Sequence, residues 1–355
     1  MARLKVLVVG FGKMGRSHAL AYTRIDRCEV VGLCSRSIHS SSIPDALSGV
    51  ALYTDFVQAL AELKPDIVSV NTLPDTHAEY ALEAMKAGAH VFVEKPLAET
   101  IVDAERVIEV ARSTGRKLVI GYILRQHPSW QKFAELARGL GKPLVMRMNL
   151  NQQSSGPSWI SAKHKLEKVS PIVDCAVHYV DYMCAMTGAR PVKVHAIGAR
   201  LSDEIAESMY NYGQLQLTFD DGSIGWYEVG WGPMMSETAH FIKDVIGPEG
   251  SVSMASAGDE KLKSDDTRGH TQTNRLIVHK SKLGADGRFE REDEIINTVN
   301  EPDHEMLCEI EQRVLVDAID NDLDLSASHE ATLLTLRIVL AADLSIRTGE
   351  VVRLD

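Results

Sequence analysis

A short apolar segment followed by closely spaced glycines is the feature that most constrains the fold of this chain. Lys5–Val9 has the composition of a buried strand, the sequence GFGKMG follows it directly, and a helical pattern covers Lys13–Thr23. A strand, a glycine-rich turn and a helix in this order are typical of the first unit of a dinucleotide-binding sheet. The alternative is a glycine-rich turn with no ligand, so the rest of the chain decides between them.

Each glycine of this loop has a separate task in the dinucleotide interpretation. Gly10 permits the tight turn, Gly12 lets the backbone approach a pyrophosphate, and Gly15 permits close packing of helix against strand. The helix N-terminus at Lys13 and Met14 would supply amide donors and the positive end of the helix dipole. We therefore predict that Gly10, Gly12, Lys13, Met14 and Gly15 contact the cofactor.

The first 121 residues alternate between strand-like and helix-like patterns. Predicted strands cover Lys5–Val9, Val30–Cys34, Ile67–Val70, His90–Val93 and Lys117–Ile120. Predicted helices cover Lys13–Thr23, Asp55–Leu63, Asp75–Ala87 and Thr100–Ser113. Alternating strands and helices predict an α/β fold with a doubly wound parallel sheet, and we assign residues 1–121 to a Rossmann domain.

The pattern changes in residues 122–355, where strands follow one another. Predicted strands cover Leu144–Asn149, Val192–Ile197, Tyr212–Phe219, Ser223–Val229 and Gly250–Met254. Predicted helices cover Ser129–Arg138, His304–Asp320 and Ser328–Thr348, and a long polar loop covers Ala257–Asn274. Successive strands joined by turns predict a second α/β domain with a mostly antiparallel sheet, for substrate binding and oligomerisation.

Charge and composition exclude several classes of partner. The chain of 355 residues has a net charge of −11 and no basic block, so neither nucleic acid nor an acidic membrane surface is an expected partner. Its five cysteines form no CxxC pair, and no run is long and apolar enough to span a bilayer. The first residues do not have the pattern of a signal peptide. We expect a soluble, cytoplasmic protein with reduced thiols.

The end of the second predicted strand indicates which dinucleotide is used. An NAD site usually has an acidic residue here for the ribose hydroxyls, but this chain has Ser35 and Arg36. A hydroxyl and a guanidinium would bind the 2′-phosphate of NADP, which a carboxylate would repel. The sequence therefore favours NADP over NAD. The alternative is that Arg36 is simply a solvated arginine.

Two further motifs have residues suited to proton transfer. EKPL, with Glu94 and Lys95, follows a predicted strand, and ligands bind beyond the carboxyl ends of such strands. Asp174, His178 and Asp181 share one face of a predicted helix, and histidine titrates near neutrality. A surface lysine and a surface Asp/His ion pair are the alternatives. A metal site is disfavoured, because no further ligands cluster nearby.

Together these motifs resemble the Gfo/Idh/MocA oxidoreductases over nearly the full chain. The matching segments are GFGKMG, NTLPDTH at Asn71–His77, EKPL, and Asp174 followed four residues later by His178. The resemblance implies reversible hydride transfer between a nicotinamide and a hydroxyl of a sugar or cyclitol. It also implies a homodimer or homotetramer formed through the C-terminal sheets.

The resemblance also implies roles for single residues. Lys95 would contact the reacting oxygen, His178 would be the acid/base, and Asp174 would orient the substrate or the histidine. Four residues would lie near the nicotinamide ribose: Thr72, Pro74, His77 and Glu94. The chain departs from the family in having VSPIVD where many members have glycines before the aspartate, which leaves the substrate contacts of that loop open.

Other residues are candidates for a substrate pocket. Tyr122 and Arg125 follow the last Rossmann strand, and we predict that they bind substrate together with Lys95, Asp174 and His178. The segment with Trp159, Lys163, His164 and Lys165 is interpreted as a solvated loop, and the alternative is that its cations bind an acid or a phosphate. Strand alternation predicts that Trp226 and Tyr227 face opposite sides of their sheet. We expect a core or interface role for these two residues and Trp231, and the alternative is that they pack against the apolar face of a sugar.

The sequence therefore predicts an NADP-dependent sugar or cyclitol dehydrogenase or ketosugar reductase without a metal ion. Lys95 and His178 would assist proton transfer at a secondary hydroxyl or its ketone. Two alternatives stay open. One is a non-catalytic sensor of dinucleotide or sugar, which would not need the proton-transfer residues, and the other is a redox-neutral glycosidase that depends on a nicotinamide.

Overall fold

The structure is a computed structural model of the whole chain, and it describes residues 2–237, 242–255, 264 and 271–354. The chain forms two compact units. The first contains residues 1–123 and 304–333, and the second contains residues 124–303 and 334–355. The first unit therefore includes a C-terminal segment that the division at residue 121 assigns to the second domain.

The first unit contains a six-stranded sheet in which every neighbouring pair is parallel. The strands, in chain order, are β1 Leu4–Val9, β2 Cys28–Cys34, β3 Ala51–Tyr53, β4 Ile67–Val70, β5 His90–Val93 and β6 Leu118–Ile120. Their order across the sheet is β3-β2-β1-β4-β5-β6. The order reverses at β1 and β4, where open parallel sheets bind ligands. The predicted Rossmann architecture is confirmed.

Of the described α-helices, five lie wholly in this unit: α1 Lys13–Thr23, α2 Phe56–Leu63, α3 Pro74–Lys86, α4 Ile101–Thr114 and α8 His304–Asp320. Side chains begin two of them, because Asp55 and Thr100 accept hydrogen bonds from the backbone N–H three residues on. Gly115 ends α4 in the left-handed conformation. Leu315 and Val316 of α8 lie in the core formed by β1, β2 and α1, which explains why this distant segment belongs here.

The second unit contains a nine-stranded sheet of order β14-β13-β12-β11-β7-β10-β9-β8-β15. Its strands are β7 Val145–Gln153, β8 Pro191–Ala199, β9 Tyr212–Phe219, β10 Ile224–Gly232, β11 Lys243–Gly247, β12 Gly250–Ala255, β13 Arg275–Lys280, β14 Glu294–Asn297 and β15 Val352–Arg353. Only β10 and β7 pair in parallel among these described strands. The prediction of a mostly antiparallel sheet is confirmed.

The second unit also contains helices α5 Pro128–Arg138, α6 Pro157–Leu166 and α7 Pro171–Thr187. The final helix, α9 Ser326–Thr348, passes through the division between the units at residue 333. Helix α7 packs against β10, and nearly all of its first thirteen residues are buried. Ser170 caps it by accepting a hydrogen bond from the backbone N–H of Val173.

Several elements differ from the sequence-based expectations. Helix α6 covers the segment interpreted as a solvated loop, so that interpretation was wrong; Trp159 is buried there. Strands β3, β11, β13, β14 and β15 were not predicted. Of the predicted loop at Ala257–Asn274, most residues lie outside the described part of the chain, and the described ones do not test it as a whole. Among the described helices, none is long and apolar enough to cross a membrane.

Candidate functional site

The glycine loop has an open cradle at the carboxyl end of β1. A Cβ added to Gly10, whose φ is +82°, would lie 2.5 Å from the Asn71 carbonyl oxygen, and one added to Gly15 would lie 1.8 Å from the Gly10 carbonyl oxygen. A Cβ added to Gly12 would meet none of the described atoms within 4 Å. Gly10 and Gly15 therefore leave no room for a side chain, whereas Gly12 borders free space.

Helix α1 begins next to that free space. Gly12 is its N-cap, and no described side chain caps it. The amide groups of its first turn, at Lys13 and Met14, therefore have no capping side chain to satisfy them. Such a helix end favours an anion, and the open side of Gly12 lets a phosphate approach the backbone. The residues present fit the pyrophosphate of a dinucleotide.

The strand register brings the other predicted cofactor residues to the same edge of the sheet. Val9 pairs with Cys34 of β2 and with Val70 of β4, and Val70 pairs with Val93 of β5. The residues that follow these strands therefore begin their loops side by side. Those residues include Gly10, Ser35, Asn71 and Glu94.

The loop after β2 is basic and rich in hydroxyl groups. Arg36 is exposed, Ser35 is half-buried, and its backbone N–H donates to the Tyr53 carbonyl oxygen over 3.0 Å. Arg16 of α1, which the sequence interpretation did not identify, donates to the Ser42 carbonyl oxygen in the same loop over 3.4 Å. Two guanidinium groups therefore lie at this loop. The signal that could have identified Arg16 was a cation immediately after the last glycine of the motif.

His77 connects the loop after β4 to the turn after β5. Its Nδ1 lies 2.7 Å from the Pro96 carbonyl oxygen, and its Nε2 lies 3.1 Å from the Thr72 carbonyl oxygen. Burial lowers the pKa of this imidazole, while the two carbonyl groups partly oppose the shift. The side chain is only 1% exposed, so in this structure it joins two loops that carry predicted cofactor residues. Pro74, also predicted, begins helix α3.

Glu94 is buried and ionised immediately before the half-exposed Lys95. Its Oε1 lies 2.8 Å from Nε2 of His18, and its Oε2 accepts a hydrogen bond from the Lys95 backbone N–H over 3.2 Å. Burial would raise the pKa of this carboxyl, but the hydrogen bond with His18, together with the Lys95 ammonium, holds the pKa at about 2. The turn that presents Lys95 is therefore anchored by a buried charge.

In the second unit, Asp174 and His178 lie one turn apart on α7. His178 is half-buried, whereas Asp174 is 5% exposed. The Lys165 ammonium lies 3.2 Å from Oδ2 of Asp174 and 5.3 Å from the centroid of the Trp231 ring. The pairing of Lys165 with Asp174 was missed because the helical nature of α6 was not predicted.

Asp181, the third residue of the predicted face, has a separate partner. Arg125 donates to its two carboxylate oxygens over 2.8 and 2.5 Å, and Thr335 donates over 3.3 Å. The guanidinium of Arg125 is therefore engaged within this unit. Tyr122, the other predicted substrate contact, is 3% exposed in the first unit.

The aromatic side chains of β10 alternate between the two faces of the sheet, as the sequence predicts. Tyr227 is fully buried and stacks on Tyr179 of α7, with ring centroids 4.9 Å apart. Trp226 points to the opposite face of the sheet and is half-buried. Trp231 shares the face of Tyr227 and is 2% exposed. Trp231 and Lys165 thus lie on the α7 side of the sheet, near Asp174.

A cavity of about 440 Å³ in the first unit lies elsewhere. It is lined by residues of α4, the amino end of β6, the segment before α9 and the first turns of α9, among them Arg112, Lys117, Asp324 and His329. Ligands of open parallel sheets bind at the carboxyl ends of the strands, which is the opposite edge. This cavity is therefore not the dinucleotide site.

Comparison with known proteins agrees with this geometry. A family model described as "Oxidoreductase family, NAD-binding Rossmann fold" matches residues 4–122. A second model, described as "GFO/IDH/MocA C-terminal domain", matches residues 135–253. Two successive domain models of one family therefore match in the expected order and account for most of the chain.

Among curated proteins, the chain is 26% identical over 243 residues to D-glucoside 3-dehydrogenase of Escherichia coli (strain K12), covering 63% of this chain and 69% of that protein. It is 30% identical over 198 residues to UDP-N-acetylglucosamine 3-dehydrogenase of Acidithiobacillus ferrooxidans, covering 56% and 59%. The chain thus spans about six to seven tenths of the length of these relatives.

Among solved structures, scyllo-inositol dehydrogenase from Lactobacillus casei with bound NAD(H) and scyllo-inositol has the same fold. The TM-score is 0.74 and the identity is 20%, with 99% of both chains covered. At this identity the likeness establishes the fold alone.

Proposed function

Because the chain belongs to the Gfo/Idh/MocA family of oxidoreductases, we propose that it transfers a hydride between NADP(H) and a secondary hydroxyl or ketone of a sugar or cyclitol. The observation that carries this proposal is the carboxyl edge of the six-stranded sheet. An open cradle at Gly12 and the anchored Lys95 turn both follow strands that end at this edge. A dinucleotide site and a proton-transfer group thus share one edge of one sheet.

The choice of NADP rests on the loop after β2. Ser35 and the exposed Arg36 stand where an NAD site usually has a carboxylate. A guanidinium can bind a 2′-phosphate through paired, charge-assisted hydrogen bonds. The first-turn amides of α1, with Gly10 and Gly12, would hold the pyrophosphate. Thr72, Pro74 and His77 would lie beside the nicotinamide ribose.

The proton-transfer roles follow from the chemistry of the side chains. In the oxidative direction, a bound NADP⁺ would supply the hydride acceptor for the carbinol carbon. His178 would take the proton of the hydroxyl, so that a ketone would be left. Lys95 would donate a hydrogen bond to the reacting oxygen and so stabilise developing negative charge. Asp174, one turn before His178, would orient the substrate or the imidazole. The reductive direction reverses each transfer.

The substrate class is proposed from the named relatives, which act on a glucoside and on a nucleotide sugar. A sugar or cyclitol presents several hydroxyl groups, and Asp174 and Lys165 supply an acceptor and a donor for them. The five cysteines are all free thiols, which supports a reducing, cytoplasmic compartment.

A homo-oligomer is also part of the proposal. The ladder register places Ile197, Ile224, Ile246 and Ile295 on the same face of the nine-stranded sheet as Trp226. Each of these isoleucines is more than 40% exposed. Exposed apolar surface of this kind marks interaction sites, and we assign it to a dimer or tetramer of this chain.

Two substitutions test the proposed roles. Lys95→Ala and His178→Ala should each lower kcat by about 10²- to 10⁴-fold, because each removes a proton-transfer group. NADPH affinity, measured by quenching of protein fluorescence, should change little. Arg112→Ala, at an exposed pair with Glu109, is the control and should turn over like the wild type. Wild-type turnover by either active-site variant would exclude the assigned role.

A further inference from the structure

A buried chain of hydrogen bonds joins α1, the turn after β5 and α8 within the first unit. His18 of α1 is fully buried, and its two ring nitrogens have different partners. Nε2 lies 2.8 Å from Oε1 of Glu94, and Nδ1 lies 2.9 Å from Nε2 of Gln312 on α8. Neither His18 nor Gln312 was identified from the sequence, because 294 residues separate them.

The partners fix the direction of each hydrogen bond. An ionised carboxylate can only accept, so Nε2 of His18 carries the proton that Glu94 binds. The amide nitrogen of Gln312 can only donate, so Nδ1 of His18 accepts. In this arrangement the imidazole is neutral, and Gln312 selects the tautomer that donates to Glu94.

The remaining buried groups leave the negative charge on Glu94. His18, Cys308 and Glu311 bring potential ligand atoms within 4.8 Å of one another. Burial and the nearby Glu94 raise the pKa of Glu311 well above its usual value, which favours the neutral form of its carboxyl. Burial likewise raises the pKa of the Cys308 thiol. Both nitrogens of His18 already have protein partners in Glu94 and Gln312, so neither is left to bind a metal ion.

Burying an ionised carboxylate such as that of Glu94 costs folding free energy unless its hydrogen-bond partners compensate for the lost hydration. Glu94 uses its two oxygens in two directions. Oε1 faces His18 inside the unit, and Oε2 accepts from the backbone N–H of Lys95. A change at His18 would therefore be passed to the Lys95 backbone by one intervening side chain.

We propose that His18, with its tautomer selected by Gln312, is a positioning residue that acts through Glu94 to fix Lys95 for proton transfer. The inference rests on the proposed function of Lys95. It assigns Glu94 to support of the catalytic turn rather than to direct contact with the cofactor. It also gives α8, which comes from the far end of the chain, a part in the site.

A pair of substitutions at His18 separates positioning from packing. His18→Leu removes the donor to Glu94, whereas His18→Gln keeps a nitrogen donor at nearly the same reach. The matched control is His90→Leu on β5, which also removes a hydrogen-bonded imidazole but lies at the opposite end of that strand. Turnover is measured with NADP⁺ and the best member of a panel of sugars and inositols.

We expect His18→Leu to lower kcat by about 10- to 100-fold, as a small displacement of a catalytic group does. NADPH affinity should stay within about twofold of wild type, and His18→Gln should recover most of the loss. Amide hydrogen exchange, followed by mass spectrometry, should accelerate in the peptide that contains Lys95. His90→Leu should lose stability, but its kcat and the amide exchange of the peptide that contains Lys95 should stay as in the wild type.

A double-mutant comparison tests whether the effect passes through Lys95. In a Lys95→Gln background, His18→Leu should cost less than about twofold, because the group that it positions is gone. If His18→Leu lowers kcat as much in the Lys95→Gln background as in the wild type, the inference is overturned. An unchanged kcat in a folded His18→Leu protein would also overturn it. If His18→Leu does not fold, the same measurements are made on Gln312→Leu, and the same results would support or overturn the inference. Wild-type turnover by Lys95→Gln would instead contradict the proposed function itself.

Discussion

The Lys165 ammonium lies 3.2 Å from Oδ2 of Asp174, at the end of a helix that the sequence did not predict. Asp174 is 5% exposed, whereas Lys165 is half-buried. The same ammonium lies 5.3 Å from the centroid of the Trp231 ring. The negative charge of Asp174, which we propose binds the substrate, is thus compensated by the Lys165 ammonium of α6.

Removing this cation should impair turnover. Lys165→Gln leaves the Asp174 carboxylate without its ammonium, so its orientation toward the substrate is lost. We expect kcat/KM to fall by about tenfold and Lys165→Arg to retain most activity. Lys163→Gln, which loses a pair with the exposed Glu204 and a cation–π contact with Trp159 but leaves Asp174 its ammonium, is the matched control. Equal effects at positions 163 and 165 would contradict this role.

The cofactor preference should depend on Arg36. Arg36→Ala removes the guanidinium assigned to the 2′-phosphate, and a charge-assisted hydrogen bond contributes about 1.5–3 kcal/mol. The Kd for NADPH should therefore rise by about 10- to 100-fold, while the Kd for NADH changes little. Fluorescence titration with both nucleotides measures this ratio. An equal loss of affinity for NADPH and NADH would contradict the assignment of NADP as the cofactor.

The glycine loop gives a prediction with an internal control. Gly12→Ala should preserve stability, because its Cβ meets no described atom within 4 Å, but should weaken nucleotide binding by filling the cradle. Gly15→Ala should instead destabilise the fold by about 1–3 kcal/mol, since its Cβ would lie 1.8 Å from the Gly10 carbonyl oxygen. Thermal unfolding and NADPH titration distinguish the two effects. Undiminished binding by Gly12→Ala would place the dinucleotide elsewhere.

Acid should destabilise the protein partly through His90. Nδ1 of His90 accepts from the Lys117 backbone N–H over 2.9 Å. Burial, followed by the charges of Arg116 and Lys117, lowers the pKa of His90 to about 4. Because the folded-state pKa lies below the unfolded value, the stabilisation is complete above about pH 6.5 and is lost as the pH falls toward 4.

The substitution His90→Asn tests this linkage, because an amide oxygen can accept the same hydrogen bond without titrating. Between about pH 6.5 and 4, the wild type should lose about 1–2 kcal/mol more unfolding free energy than the variant, after allowance for partial exposure. Urea unfolding at several pH values measures the difference. Parallel stability profiles would show that His90 does not contribute.

The sequence predicted the first unit well because its signals are local. Helix α1 and strands β4 and β5 have the predicted bounds, and the glycine motif lies between β1 and α1 as expected. A buried parallel strand is a short apolar run, and a capped helix has a polar start, so neighbouring residues suffice to identify them. The three-residue edge strand β3 has too little pattern to recognise.

The parts that were missed depend on distant contacts. Helix α8 was predicted as a helix, but only its packing of Leu315 and Val316 into the first core shows where it belongs. The contacts of His18 with Glu94 and Gln312 join three separate elements. No spacing rule relates such residues, because tertiary packing alone brings them together. The same holds for Lys165 and Asp174, which lie on two successive helices.

The most direct test of the account is absorbance of the reduced nicotinamide when purified protein meets NADP⁺ or NAD⁺ with a panel of sugars, sugar derivatives and inositols. The panel is repeated with NADPH and the corresponding ketoses. We expect at least one member to react, with a higher kcat/KM for NADP(H) than for NAD(H). Bound nucleotide with no redox change in either direction, across the whole panel, would contradict the account and favour a sensor or a redox-neutral glycosidase.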